Sequence, residues 1–337
     1  MADEQQPVPS PPALADPTTQ TPISPSSSTS APAPHPRSSS LIQTLRVYMT
    51  IFASKTDHTL VRLNTLLSTP RGTDVLLCTL SYTLQLLSAL LSRHLDAQMN
   101  AITATFAEKA DAVLLPGESF VAAVPISRGT RRLQEIATGT KALSGVIADF
   151  RIFVRLWGCV GLYVWLRDML RGDAVRKNGS MPKKEKAVRA ITYAEIVSLI
   201  AFQVLENGAY LASKGVLTSA SWSGELGKRR ETRWWVWSCR FWALYVILEG
   251  VRLGALWYYE PEGQIREDDG EKEDKIARER KSLENKVWWR DLVSNVAYFP
   301  MTLHWSTEEG LLSEILVGLC GVFAGGANLV EAWAAIR

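Results

Sequence analysis

The sequence predicts an all-α integral membrane protein built from amphipathic and transmembrane helices. Three observations predict it. Apolar residues recur with a helical period from residue 41 onward. Two stretches, 234–259 and 311–333, reach the length of a bilayer crossing. All twelve tryptophans lie after residue 156, so the residues that seek a membrane–water interface belong to the C-terminal half. Hydrophobic residues make up 47% and charged residues 21% of 337, enough to bury a large core. The net charge of +3 gives no reason to expect a nucleic-acid partner.

Residues 1–40 form the first region. Ten of the sixteen prolines lie between residues 7 and 40 among many Ser, Thr and Ala, a composition that buries too little apolar surface to order itself. A disordered tail is expected there. Residues 41–126 form the second region, of amphipathic and apolar helices. Leu41, Leu45, Tyr48, Met49 and Phe52 share one helical face, with Gln43, Arg46 and Thr50 opposite. Leu41, Leu45, Met49 and Phe52 are the expected membrane-inserting residues, with Arg46 at the headgroups. Leu60, Leu63 and Leu67 continue the pattern until Thr69-Pro70-Arg71-Gly72 breaks it. Val75 to Ser92 is eighteen residues without a charge, at the lower limit of a crossing and diluted by Ser, Thr and Gln.

Residues 127–337 form the third region, membrane-embedded and helical. Pro116-Gly117, Pro125 and Gly129 mark a loop before it. In 149–171, DFRIFVRLWGCVGLYVWLRDMLR, the uncharged run Leu156 to Leu166 is only eleven residues, about 16 Å of helix, too short to cross alone. Arg151, Arg155 and Gly158 share a face, which fits either an interfacial or a helix-packed position. Glu195 and Glu206 stand eleven residues apart, also on one face. Basic residues flank 191–212 on both sides (171–189, then Lys228, Arg229, Arg230 and Arg233), so no crossing by 191–212 is expected and both clusters should face the cytosol.

Trp234, Trp235 and Trp237 stand at one end of the next apolar stretch, and Trp257, Tyr258 and Tyr259 at the other. Trp237 and Trp257 are twenty residues apart, about 30 Å of helix, which matches a bilayer with an aromatic anchor at each face. Glu249 and Arg252 inside it can neutralise each other at i, i+3. Residues 260–290 alternate in charge and read as solvated. Ile315 to Val330 is sixteen residues without a charge. It carries Gly321 and Gly325, with Gly318 nearby, small residues that serve either packing within the chain or self-association. The two spans place both termini in the cytosol.

No spacing suggests catalysis, a metal or a cofactor. Cys78, Cys159, Cys239 and Cys320 lie far apart in apolar runs, as scattered buried thiols do. His304 precedes Trp305, with Glu308 one turn on, a setting typical of a hydrogen-bonded structural histidine. Phosphate-loop, dinucleotide and nucleophile-elbow motifs are absent from the sequence. An enzyme is therefore not expected.

Several stretches together resemble the peroxin-11 family of peroxisomal membrane proteins, most closely its fungal C-type members. The first is Ser68-Thr69-Pro70-Arg71-Gly72-Thr73-Asp74, leading through a leucine-rich helix to Tyr82. The others are DFRIFVRLWGCVGLYVW, FQVLENGAYLASKGVL, WWRDLVSNVAYFPMTLHWSTEEGLLSE and GLCGVFAGGANLVEAW. The similarity covers about residues 55–335. It implies an integral protein of the peroxisomal membrane that promotes membrane elongation, proliferation and division. It implies leaflet insertion by amphipathic helices, self-association, and peroxisomal lipids and organelle-fission machinery as partners. The family's Lys after the Asp is Val75 here, so 41–67, with Arg46, Lys55 and Arg62, is the better leaflet-inserting candidate. A small-molecule channel or transporter of the same membrane is the alternative, with Glu195, Glu206 and Glu249 along its path.

Overall fold

The computed structural model describes residues 38–111, 127–175, 182–259 and 271–336. The expected tail up to residue 37, most of the loop before residue 127, and parts of the basic and charge-alternating stretches lie outside the described residues. Among the described residues every regular element is helical. The chain divides into two compact units, Met1–Asp57 and His58–Arg337.

Helix α1 spans Ser38–Leu67 and α2 spans Pro70–Asp111. Thr69 separates them for a local reason. Its Oγ1 accepts a hydrogen bond from the Gly72 backbone N–H at 3.1 Å, an N-cap with Pro70 in the first helical position. A Cβ on Gly72 would lie 2.2 Å from the Leu66 carbonyl oxygen, so this corner needs glycine. The break read from Thr69 to Gly72 is therefore the end of one helix and the start of the next.

Helix α3 spans Arg128–Val154, capped by Ser127. A single 3-10 turn, Arg155–Trp157, separates it from α4, Gly158–Val175. The apolar segment 149–171 is thus two helices joined by a turn. Helix α5 spans Lys183–Ser213 and ends at Gly215, which has φ +70°. Val216 N–H donates to the Leu211 carbonyl and Gly215 N–H to the Ala212 carbonyl, both at 2.9 Å, closing the helix with a left-handed glycine cap. Helix α6 spans Gly224–Tyr258. Helix α7 spans Glu271–Trp305 and contains Pro300. Helix α8 spans Glu314–Ala335, with Ser313 as its cap and Glu314 in its first turn. His304 Nδ1 accepts backbone N–H bonds from Leu311 and Leu312 at 2.9 Å and so ties α7 to the loop before α8. It is the hydrogen-bonded structural residue expected.

Six helices of His58–Arg337 close a ring. α2 packs on α3, α3 touches α5, α5 lies along α6, α6 on α7, α7 on α8, and α8 returns to α2. Each neighbour runs antiparallel to the last. Along α5 and α6, Lys184 meets Tyr259, Ser198 meets Phe241, and Gly208 meets Trp234, so one number falls as the other rises. Along α2 and α8 the order is Arg71 with Glu331, Tyr82 with Gly321, and Leu86 with Gly318.

Among the described residues three helices are long and apolar enough to cross a membrane: α2 over Pro70–Lys109, α5 over Lys183–Ser213, and α8 over Glu314–Ala335. Of the two spans expected, 311–333 coincides with α8. The other, 234–259, lies in α6, which is not among the three. Its tryptophans and tyrosines add little hydropathy, and Arg240, Glu249 and Arg252 fall within it. Helix α5 covers the 191–212 stretch that was not expected to cross. Because α5 and α6 are antiparallel, the basic residues that begin each helix sit at opposite ends of the pair. Counting Lys and Arg therefore assigns no orientation to this hairpin.

Candidate functional site

The ring surrounds a cavity of about 820 Å³, and all six helices contribute to its wall. Tyr82 comes from α2, Arg151 from α3, Glu206 from α5, Trp242 from α6, Tyr298 from α7 and Asn328 from α8. Arg155, in the turn between α3 and α4, also faces it. The volume lies within the usual range for a small-molecule site, about 300–1,000 Å³.

Charge reaches the wall through paired groups. Arg155 makes a two-pronged contact with Glu206, Nη2 to Oε1 at 2.8 Å and Nε to Oε2 at 3.0 Å. Glu206 is buried, so this pair is costly to break and geometrically well satisfied. Arg151 Nε donates to Asp74 Oδ1 at 2.8 Å. These contacts settle the face shared by Arg151, Arg155 and Gly158: it is packed on a helix. A Cβ on Gly158 would lie 2.8 Å from Gln203 Oε1, so α4 begins tightly against α5. Asn207 Nδ2 donates to the Leu156 carbonyl at 2.9 Å and satisfies an oxygen in the turn.

On α6, Arg252 Nε donates to Glu249 Oε2 at 2.8 Å, the i, i+3 neutralisation expected. The same guanidinium lies 3.4 Å from Glu195 Oε1 on α5. Glu195 and Glu206 do share the inner face of α5, and both are buried. On α7, Arg290 pairs with Asp291 and with Glu331 of α8, and Arg71 reaches the same Glu331 at 3.0 Å. Outside the apolar helices, Lys214 pairs with Asp149 at 2.6 Å, and that hydrogen bond raises the lysine pKa above its ordinary value.

Aromatic rings fill the rest of the wall. Trp242 stacks on Trp305 with centroids 5.7 Å apart and 15° between planes. Tyr298 lies 5.6 Å from Trp242. Tyr82 lies 6.5 Å from Trp305.

The expected anchors divide. Trp257, Tyr258 and Tyr259 are exposed, as is Trp237 at the other end of α6. Trp234 and Trp235 are half-buried and face inward. Trp234 lies where a Cβ on Gly208 would be 2.2 Å from its ring, and Trp235 lines the cavity. Residues two apart on a helix diverge by about 200°, so Trp235 and Trp237 point to nearly opposite sides of α6. Gly318, Gly321 and Gly325 all face α2. Added Cβ atoms would lie 2.9 Å from the Leu86 Cα, 2.1 Å from the Tyr82 ring and 2.8 Å from Thr79 Oγ1. The glycines thus pack within the chain, against α2 and not against 234–259. Leu45, Met49 and Phe52 are exposed, with Phe52 at 69%, and Arg46 is exposed beside them. The backbone of Leu41 is helical, and its side chain lies outside the described residues. Of the four cysteines, all free, Cys78 is buried and the other three are partly exposed.

Residue spacing alone did not reveal the cavity. Its traces were the i, i+4 arginines at 151 and 155 and the glutamates eleven residues apart on α5, each lacking an assigned partner.

An uncharacterized protein of Schizosaccharomyces pombe is 27% identical over 186 residues, covering 55% of this chain and 72% of its own length. No family model and no solved structure matches.

Proposed function

We propose that this protein is embedded in a membrane by its helical ring and reshapes that membrane through α1. The ring supports embedding because its polarity is turned inward. Outward faces carry apolar stripes at helical spacing: Leu244, Ile247 and Val251 on α6, and Val293, Val296 and Phe299 on α7. Leu316, Leu319 and Phe323 do the same on α8. Glu249 and Arg252 on α6, and Arg290 and Asp291 on α7, pair on the partly buried side of the same helices. On this reading α6 and α7 also cross, although their inward charges lower their overall hydropathy.

The observation that carries the remodelling role is α1. Ile42, Leu45, Tyr48, Met49 and Phe52 are all exposed on a helix whose other face carries Gln43, Arg46 and Thr50. Such a face enters the acyl boundary of one leaflet, expands it and bends the bilayer. The resemblance to the peroxin-11 family makes the peroxisomal membrane the proposed site of action. Self-association remains part of the proposal. It would use a face other than the glycines of α8, which α2 already occupies.

Full-length protein reconstituted in vesicles with anionic lipid should draw them into tubules. The Leu45→Glu, Phe52→Glu variant should stay inserted, with its ring intact, and lose tubulation. Equal tubulation by the variant would remove α1 from the mechanism.

The cavity favours a second reading, a solute-binding or solute-passing protein of the same membrane. Overexpression separates the two: remodelling changes organelle number and shape, whereas passage changes permeability first.

A further inference from the structure

The charges around the cavity do not all balance, and the place where they fail identifies a ligand class. Arg155 answers Glu206, and Arg151 answers Asp74. Arg290 and Arg71 together answer Asp291 and Glu331. Between α5 and α6 one guanidinium, Arg252, serves two carboxylates, Glu249 and Glu195, and the exposed Glu308 also lines the wall without an ion pair among the described residues. Glu195 is 1% exposed, and its Oε1 accepts no hydrogen bond among the described residues. An uncompensated negative charge in a buried site costs several kcal/mol, so the cluster favours a positive guest.

Glu249 carries that demand to the cavity. It lines the wall on the same face of α6 as Trp242 and Tyr245, seven and four residues earlier. Tyr298 and Trp305 add rings from α7. Aromatic faces attract cations, most strongly when water is displaced, and they also accommodate an alkyl body. A carboxylate at one end of an aromatic wall is the combination that recognises an organic ammonium ion. Glu249 is itself gripped by Arg252 through two hydrogen bonds, so the attraction comes from the cluster's surplus carboxylate. Arg151 and Arg155 carry no such surplus, being matched by Asp74 and Glu206, and a free carboxylate or phosphate ligand suits the site poorly.

We propose that the cavity binds a small organic ammonium cation, with its charge at Glu249 and its apolar part against Trp242, Tyr298 and Trp305. This rests on the solute-site reading of the cavity and goes beyond it by naming the ligand's charge. A proton on the glutamate pair is the competing way to balance the cluster.

Calorimetric titration of the full-length protein in lipid nanodiscs tests the proposal, with tetraethylammonium, hexanesulfonate and uncharged tert-butanol as probes. Tetraethylammonium should bind at least tenfold more tightly than the other two. Glu249→Gln should weaken it at least tenfold. That variant keeps the side-chain shape and removes the surplus charge, so it should fold. Glu309→Gln, outside the cavity, should change nothing. Preferential binding of hexanesulfonate or tert-butanol would overturn the cation assignment and leave a solute site standing. No binding of any probe would overturn both the assignment and the solute reading. Wild-type tetraethylammonium affinity in folded Glu249→Gln would overturn the placement of the ligand's charge at Glu249.

Discussion

Helices α2 and α8 meet in a different way from α5, α6 and α7. At the first contact, glycines on α8 let its backbone approach α2 closely, and no charge lies between them along Gly318, Gly321 and Gly325. At the second, the helices also pack closely, but through ion pairs and aromatic rings that face a cavity of about 820 Å³. Both belong to one ring. Under the membrane embedding proposed above, little hydrophobic gain comes from pressing two apolar helices together in lipid, so close van der Waals contact or polar pairing has to supply the attraction. The glycine seam uses the first and the charged side uses the second. The seam joins α8 to α2 by backbone approach, whereas the charged side supplies most of the polar groups that line the cavity.

The comparison breaks most severely at the charged side. Arg155→Met would leave Glu206 buried without its partner, at a cost of about 3–5 kcal/mol. Unfolding followed by tryptophan fluorescence should show that loss, and Arg155→Met combined with Glu206→Leu should recover most of it. No recovery would mean that packing at the turn, and not the charge pair, holds α3 to α5. At the glycine seam, Gly318→Ala places a methyl group 2.9 Å from the Leu86 Cα, where backbone has to retreat. A destabilisation of about 1–3 kcal/mol is expected from such overpacking. Gly326→Ala on the same helix meets nothing within 4 Å and should be neutral or stabilising by up to about 1 kcal/mol. Equal effects at the two positions would show that the seam is not close-packed. The smallest effect belongs to the surface. Lys141 and Glu314 pair at 2.8 Å with both side chains more than half exposed, so Lys141→Ala should cost under about 1 kcal/mol. A larger loss in the same unfolding assay would make this link between α3 and α8 part of the ring's framework.

The helices themselves were largely legible. The corner at Thr69-Pro70 follows from capping chemistry, the Glu249–Arg252 pair from helical spacing, and α8 from its uncharged run. What spacing cannot give is the partner of a face. Arg155 and Glu206 are 51 residues apart, and nothing local marks them for each other. The glycines at 318, 321 and 325 announced a close approach without naming α2. Trp234 and Trp235 looked like anchors because aromatic clusters near the end of an apolar run often are. Their burial depends on α5, whose Gly208 leaves room for the Trp234 ring. Hydropathy hid the apolar outer face of α7 for a related reason: an average over the helix mixes the outward stripe with the inward Arg290 and Asp291.

Closure of the ring by its last helix carries a consequence for biogenesis. For the membrane-embedded ring proposed above, a ribosome delivers α2 long before α8, so α2 waits in the bilayer with the surface that α8 will cover still unmatched. During that interval Tyr82 faces no glycine, Arg71 has no Glu331, and Arg290 has only its own neighbour, Asp291. Polar groups meant for the interior are then within reach of lipid. Chains stalled or cut before α8 should therefore be recognised by membrane quality control as unfinished, and should disappear without accumulating as smaller working proteins.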